Sequence, residues 1–458
     1  MTSRLLRFAP RFIAVPTLVV AVLAAGLLGA IAPAEAGRIQ KVVSPGGIEA
    51  WLVEEHAVPL IAVDFSFEGG STQDPVGKEG TVNLLSTLLD EGAGDLDSQA
   101  YQTKLEESAI DLSFSEDLDR FNGEMKTLSE NRDRAFDLLA LALAKPRFDK
   151  EAVERMRAQT IAALRRSHRN PETVAARLWA KTVFGDHPYG RPGDGTEASV
   201  QAIGIADLKT AHDHIFTRKG LKIAVVGDID AATLGSALDR VFGALPAEGR
   251  LVAVAETTPK AGASARETIE VPQAAIRFGL PGLKRSDPDF IAAYLMNHIL
   301  GGGTFSSWLY TEVREKRGLA YTVATGLVPL AHAGQFVGFV GTSADRVDET
   351  MGLVRRELAR MRDVGPTAEE LAAAKAYLIG SYPLRFDTSD KIAGALLGIQ
   401  VEDLGIDYVD KRNAMIEAVT LDDVKRVAGR LLAEAPSFVV VGPTVPQAPP
   451  TPEPAPKK

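Results

Sequence analysis

A repeat of its own order is what most constrains the fold of this chain. Residues 200–209 (Val-Gln-Ala-Ile-Gly-Ile-Ala-Asp-Leu-Lys) align with residues 416–425 (Ile-Glu-Ala-Val-Thr-Leu-Asp-Asp-Val-Lys), an offset of 416 − 200 = 216. Upstream, residues 149–153 (Asp-Lys-Glu-Ala-Val) align with 367–371 (Thr-Ala-Glu-Glu-Leu), an offset of 367 − 149 = 218. In each half the later segment leads into a helix and a valine-rich strand, ending at Val226-Gly227 and at Val441-Gly442. Two unrelated helices rarely share both phase and order, so the chain reads as a duplication.

The rest of the body alternates strands and helices. Residues 60–67 (Leu-Ile-Ala-Val-Asp-Phe-Ser-Phe) alternate on a period of two and predict a strand. Val153, Met156, Ile161 and Leu164 recur at helical spacing and predict a helix over 151–166. The run 220–227, bounded by glycines, predicts a buried strand. The expected fold class is α+β, with two homologous domains, each a mixed or antiparallel sheet packed against α-helices. The expected boundaries are 37–250 and 266–442, joined by an Ala-, Gly-, Thr- and Pro-rich linker over 251–265.

Both ends of the chain stand apart. Arg4, Arg7 and Arg11 precede an apolar run from Phe12 to Ile31, followed by Ala34-Glu35-Ala36. That pattern predicts a signal peptide over 1–36, with an uncleaved anchor as the alternative, and hence a periplasmic or secreted protein. Cleavage would remove three Arg and one Glu, leaving a charge of 48 − 59 = −11. Residues 443–458 hold seven prolines and predict an extended, disordered tail. With no cysteine among 458 residues, a disulfide scaffold, a thiolate metal site and a cysteine nucleophile are excluded. A net charge of −9 argues against a nucleic-acid partner.

Several segments carry a family resemblance. In the first half they are residues 67–71 (Phe-Glu-Gly-Gly-Ser), Gly80 with its following helix, and residues 187–191 (His-Pro-Tyr-Gly-Arg). In the second they are residues 300–303 (Leu-Gly-Gly-Gly), residues 314–321 (Arg-Glu-Lys-Arg-Gly-Leu-Ala-Tyr) and residues 439–442 (Val-Val-Val-Gly). Together they resemble the pitrilysin/insulinase-type peptidases, in the two-domain, processing-peptidase-like branch. The resemblance implies a zinc site on the first helix. There H-x-x-E-H puts two imidazoles on one helical face, with a Glu between them as general base.

This chain departs from that pattern where the chemistry lies. Asn83 and Thr87 take the histidine places, Ser86 takes the place of the Glu, and the place of the third ligand falls at 162–164, with no carboxylate. Amides and hydroxyls bind zinc far more weakly than imidazole and carboxylate, so no metal ligand and no cofactor is assigned to this chain. The polar face of Asn83, Ser86 and Thr87 is read as solvated. The seven histidines do not rebuild a site. His212 and His214 are two apart on a helix and diverge, His187 belongs to a turn, and His298 lies on an apolar helix.

The second half keeps what the resemblance implies are substrate-facing donors, Arg314 and Tyr321, with Arg317 as competitor for the arginine role. A guanidinium and a phenol both donate to a carbonyl as it gains charge. The alternative makes Arg314 a surface charge paired with Glu312 or Glu315, and Tyr321 an ordinary strand aromatic. Gly318 should end the helix and Tyr321 begin a strand. Gly301, Gly302 and Gly303 are candidate substrate-binding residues, because glycines let backbone amides approach a bound chain. The alternative is a helix stop. The resulting expectation is a non-catalytic, activating subunit of an exported zinc metallopeptidase heterodimer. Its homologous partner would supply Zn2+, and peptide or unfolded protein would be the substrate. A structural scaffold and a peptide-binding protein are the alternatives.

Overall fold

The computed structural model describes residues 38–443. The leader over 1–36 and the tail beyond Pro443 lie outside the described residues. In the first half, β1 (Gln40–Val43), β2 (Glu49–Glu54), β3 (Leu60–Glu68), β4 (Asp111–Glu116), β5 (Arg120–Leu128) and β6 (Lys222–Gly227) form one sheet in the order β1-β2-β6-β3-β5-β4. In the second, β7 (Ser264–Thr268), β8 (Ala274–Pro281), β9 (Ala320–Pro329), β10 (Gly334–Thr342) and β11 (Ser437–Gly442) form another in the order β7-β11-β8-β10-β9. Apart from β1, the two orders match strand for strand. Each sheet has one parallel pair, β2 with β6 and β7 with β11, among antiparallel neighbours. The α+β reading with two copies is therefore what the fold shows.

The duplication persists at the level of single hydrogen bonds. Helix Ile205–Ile215 begins with Asp207 accepting from the Gly204 N–H at 2.7 Å, and helix Leu421–Leu431 begins with Asp423 accepting from the Thr420 N–H at 3.0 Å. Asp207 and Asp423 are related by the same offset, 423 − 207 = 216. In both places the carboxylate satisfies an orphan donor at the helix start. The strand predicted from 60–67 is β3, that from 220–227 is β6, and the helix predicted over 151–166 is Lys150–Ser167.

Each sheet buries one face against helices of its own half. In the first half, Phe65, Phe67, Phe121, Phe216 and Phe242 form an edge-to-face cluster at the centre of that core. The other face of each sheet is covered from across the duplication, which periodicity cannot reveal. Helix Pro171–Phe184 of the first half lays Val174, Ala175, Trp179 and Val183 on Ala275, Val439 and Val441 of the second sheet. Helix Ser389–Val401 of the second half lays Ala393, Leu396 and Ile399 on Trp51, Val53, Ala62, Ala224 and Val226 of the first.

A buried hydrogen bond pins each exchanged helix. Trp179 Nε1 donates to Gln335 Oε1 at 3.0 Å, and Gln400 Nε2 donates to the Ile223 carbonyl at 2.9 Å. Gly279 on β8 makes room for the indole, since a Cβ there would stand 3.0 Å from Trp179 Cη2. Leu396 is 1% exposed. Leu396→Ala should therefore cost about 2–5 kcal/mol in urea unfolding. Because its partners are strands of the other half, the variant should also speed hydrogen exchange in β3 and β6.

One exchanged helix rests on a buried acid. Asp64 of β3 lies beneath Gly394, where a Cβ would sit 3.3 Å from Asp64 Oδ2. Burial, reinforced by the charges of Glu124 and Asp390, pushes its carboxyl up to about 7. Between its ordinary value near 3.8 and about 7, the unfolded chain has released a proton that the folded chain still holds. Stability from this group is full at acid pH, falls as pH rises through that window, and is level above it. In Asp64→Asn that component should vanish, which thermal midpoints measured from pH 4 to pH 8 would show as a flatter profile.

Candidate functional site

The helix Thr81–Ser86 stands where the family motif would lie. Gly80 opens it with φ +91, and a Cβ there would meet the Asp194 carbonyl at 2.9 Å, so the position requires glycine. Asp74 caps the start, its carboxylate accepting from the N–H groups of Gly80 (2.7 Å) and Val82 (2.9 Å). Burial pushes that carboxyl up to about 7, against the pull of these two donors and of Arg191. Val82, Leu84, Leu85, Leu88 and Leu89 are all core residues, as the apolar spacing predicts.

The polar face of this helix is not merely solvated, which corrects the expectation from sequence. Ser86 is buried, and Asn83 and Thr87 are half-buried. Asn83 Nδ2 donates to Glu116 Oε1 at 2.9 Å. Ser86 Oγ donates to the Asn83 carbonyl at 2.8 Å and stands 3.3 Å from Glu116 Oε2. Thr87 Oγ1 donates to the Leu84 carbonyl at 2.9 Å. Glu116, the last residue of β4, thus clamps the helix to the edge of the first sheet. Burial pushes its carboxyl up, and the Asn83 and Ser86 hydrogen bonds pull it down.

These residues do not fit a zinc ion. The helix presents an amide and two hydroxyls, the nearest carboxylate is already engaged, and Leu164, at the place of the third ligand, is buried. Among the described residues no group of three or more His, Asp or Glu is placed to hold a metal. The histidines serve the fold instead. His187 accepts the Tyr189 N–H at 3.1 Å and donates to the Ala255 carbonyl at 2.9 Å. His212 bonds the Leu143 carbonyl at 2.8 Å and stacks on Phe216. His298 is buried and stacked on Tyr377, and burial lowers its pKa.

In the second half Arg314 and Tyr321 do come together. Arg314 lies on the π-helical segment Tyr310–Glu315, Gly318 ends that segment with φ +59, and Tyr321 is the second residue of β9. The Arg314 guanidinium sits 4.9 Å from the Tyr310 ring centroid and 4.8 Å from that of Tyr321. It also donates to the Tyr310 hydroxyl. Glu312 pairs with Lys316 and Arg317, each at 2.6 Å, so Arg317 is committed to a carboxylate. Among the described residues Arg314 has no carboxylate within 4.0 Å, which sets aside its pairing with Glu312 or Glu315. Tyr310 is missed by the sequence reading, although its i, i+4 spacing to Arg314 is a usable signal.

Tyr321 is 79% exposed, and both it and Arg314 lie outside a cavity that the described residues form elsewhere. That cavity, of about 700 Å3, lies at the junction of the halves against Glu68, Asp119, Arg120, Val252, His332 and Glu402. The three glycines belong to or follow the π-helical segment His298–Gly302. Gly301 is buried, and a Cβ there would meet Thr325 Oγ1 at 2.4 Å. A Cβ on Gly302 would meet Asn297 Nδ2 at 2.5 Å, and one on Gly303 the His298 carbonyl at 2.7 Å. The close approach that glycine permits at these three positions is to the protein's own atoms.

Comparison with known proteins shows what this two-sheet duplication is similar to. Residues 52–197 match the family model described as insulinase (peptidase family M16), and residues 202–378 match the peptidase M16 inactive domain. A solved structure described as a peptidase M16 inactive domain from Pseudomonas fluorescens superposes with a TM-score of 0.83 at 30% identity, over 90% of this chain and 99% of that one. A Helicobacter pylori protein named non-peptidase homolog YmxG is 27% identical over 73% of this chain and 78% of its own length. An uncharacterized zinc protease of Streptomyces coelicolor is also 27% identical, over 89% and 90%. This chain belongs to the M16 insulinase family.

The Glu116 clamp is directly testable. Glu116→Ala leaves the Asn83 amide without its acceptor, while Ser86 keeps its bond to the Asn83 carbonyl, and should cost about 1–3 kcal/mol in chemical denaturation. Glu116→Gln keeps an acceptor for Asn83 and should cost less than half as much.

Proposed function

We propose that this chain is a non-catalytic M16 protein that works as the activating subunit of an exported zinc peptidase. In that reading it pairs with a homologous chain bearing H-x-x-E-H and supplies Arg314 and Tyr321 to the partner's reaction. One contrast carries the proposal. The first half offers Asn83, Ser86 and Thr87 where hydrolysis needs imidazole and carboxylate, while the second half holds a guanidinium and a phenol together, with no carboxylate within 4.0 Å of the guanidinium among the described residues. The similarity to a protein named a non-peptidase homolog and to a structure named an inactive domain supports the same reading.

Exposure of Tyr321, with Arg314 half-buried beside it, is consistent with this use. A donor buried within its own chain cannot reach a second chain's substrate. Arg314 and Tyr321 would bind or polarise the scissile carbonyl as its oxygen gains charge, where preorganised donors act most strongly. Zinc would reside in the partner and the leader would send both chains out of the cytoplasm. Peptide or unfolded protein would be the substrate.

Purified alone, the mature chain should hold no stoichiometric zinc by elemental analysis and cleave no peptide. Mixed with a zinc-motif-bearing homologue encoded beside it, it should raise cleavage. Arg314→Ala should lower that gain by about 10²–10³-fold without changing the fold of the lone chain. Tightly bound zinc in the lone chain, or full cleavage with Arg314→Ala and Tyr321→Phe, overturns the proposal.

A further inference from the structure

The two rings that flank Arg314 are not equivalent. Tyr321 is 79% exposed, so its ring keeps its own rotamer freedom. Tyr310 is 7% exposed and belongs to the core of the second half, together with its neighbours Leu309 and Val313. The Tyr310 hydroxyl accepts from Arg314 Nη1, and the guanidinium lies 4.9 Å from the centroid of that ring. A cation held by a mobile ring is placed no better than the ring itself, so the fixed member decides where the guanidinium points. We propose that Tyr310 is the positioning residue for Arg314, fixing the direction in which its remaining N–H donors reach the carbonyl of the partner's substrate. This role rests on the activating-subunit reading and adds to it a residue that acts through Arg314.

The backbone beneath the two side chains is held at both ends. Tyr310 and Arg314 share the π-helical segment Tyr310–Glu315, a form of helix that recurs at functional sites. Before it the Thr311 N–H donates to the Ser307 carbonyl at 3.0 Å, and across it the Lys316 N–H donates to the Thr311 carbonyl at 3.0 Å. After it the Gly318 N–H donates to the Arg314 carbonyl at 2.9 Å, and the Leu319 N–H to the Val313 carbonyl at 2.9 Å. Phe305 backs the Tyr310 ring edge-on, with centroids 5.1 Å apart and planes at 85°. Phe305 is itself 69% exposed and follows Thr304, which has φ +44. A β-branched residue takes that left-handed conformation only at a cost, and such strain persists where the surroundings over-determine it.

The hydroxyl supplies what a ring alone does not. A guanidinium over a bare aromatic face is attracted to it but can turn about the ring normal. An acceptor at the edge of the ring removes that freedom by choosing one N–H. Among the described residues the bond to Tyr310 is the one hydrogen bond that Arg314 makes, so its other N–H groups remain for a substrate. Because the charge on a scissile carbonyl develops in the transition state, a misdirected donor lowers kcat rather than raising KM. Phenylalanine at position 310 would keep the stacking and lose the direction.

The test has two arms, both on the mature full-length chain. In the mixture with the zinc-motif-bearing homologue, Tyr310→Phe should lower the kcat of the cleavage gained by about fivefold to tenfold and leave KM within about twofold. The thermal midpoint and the amount of complex formed should stay unchanged, whereas a merely structural role would move those and not kcat alone. In the second arm the lone chain carries nitrogen-15 arginine, and the Arg314 side-chain signal is assigned by its loss in Arg314→Lys. Exchange of its guanidinium protons with water should speed up about tenfold in Tyr310→Phe. If Tyr310→Phe does not fold, Phe305→Ala decides, with an expected fall in kcat of about threefold at unchanged KM. No gain in cleavage from the unaltered mixture sinks the activating-subunit reading and this role with it. A normal gain whose kcat the folded variant leaves intact, or an Arg314 signal that it leaves unaltered, overturns the role of Tyr310 alone.

Discussion

Everything in this molecule depends on the reciprocal seating of two helices across the duplication. A sheet buries one face against its own helices and leaves the other apolar, and that second face must be covered by something. In the first half the uncovered residues would be Trp51, Val53, Ala62, Ala224 and Val226, and in the second Ala275, Val439 and Val441. Each half sends a helix to cover the other's deficit. Separating the copies would expose both faces at once, so the two halves behave as one cooperative body. The clamped helix of the first half and the Arg314–Tyr321 pair of the second are thereby held in a common frame.

Within that frame the first helix is anchored by the chain's own side chains. A bound metal contributes its binding free energy to folding, and a helix without metal ligands needs other anchors. Here Asp74 satisfies the first N–H groups of the helix, and Glu116 ties Asn83 and Ser86 to the sheet edge. Hydrogen bonds to a carboxylate contribute about 1.5–3 kcal/mol each. That is enough to fix a six-residue helix whose other face is already buried. The helix therefore holds its place through these bonds and its buried apolar face, with no metal ligand among Asn83, Ser86 and Thr87.

Much of this was legible in residue order. The offset of 216 located two helices that share even their capping carboxylate, a period-two run located β3, and a glycine-bounded run located β6. Gly318 marked the stop before β9 because a left-handed residue ends a helix and glycine adopts it without strain. The helix exchange was not legible. A hydrophobic stripe says that Leu396 is buried but not on which sheet, and duplicated sheets offer two equivalent answers. The Glu116 clamp was hidden for a related reason. Its partners lie 33 and 30 residues away, and a Glu closing a half-exposed strand looks like any surface acid. For Arg314 the alternative from sequence was a pairing with Glu312 or Glu315, yet Lys316 and Arg317 take the Glu312 carboxylate and Arg314 lies against the aromatic rings.

That last arrangement bears on what the exposed pair is for. An arginine free on a surface samples many rotamers, and ordering it on binding costs free energy. Two flanking rings remove much of that cost in advance, at a gain of about 0.5–1 kcal/mol for an exposed cation–π contact. A carboxylate would orient the guanidinium as well, but it would also neutralise it and compete with any incoming carbonyl. Aromatic faces orient the group while leaving outward N–H donors unspent. An oriented guanidinium with no carboxylate partner among the described residues is what the proposed activating role asks of Arg314.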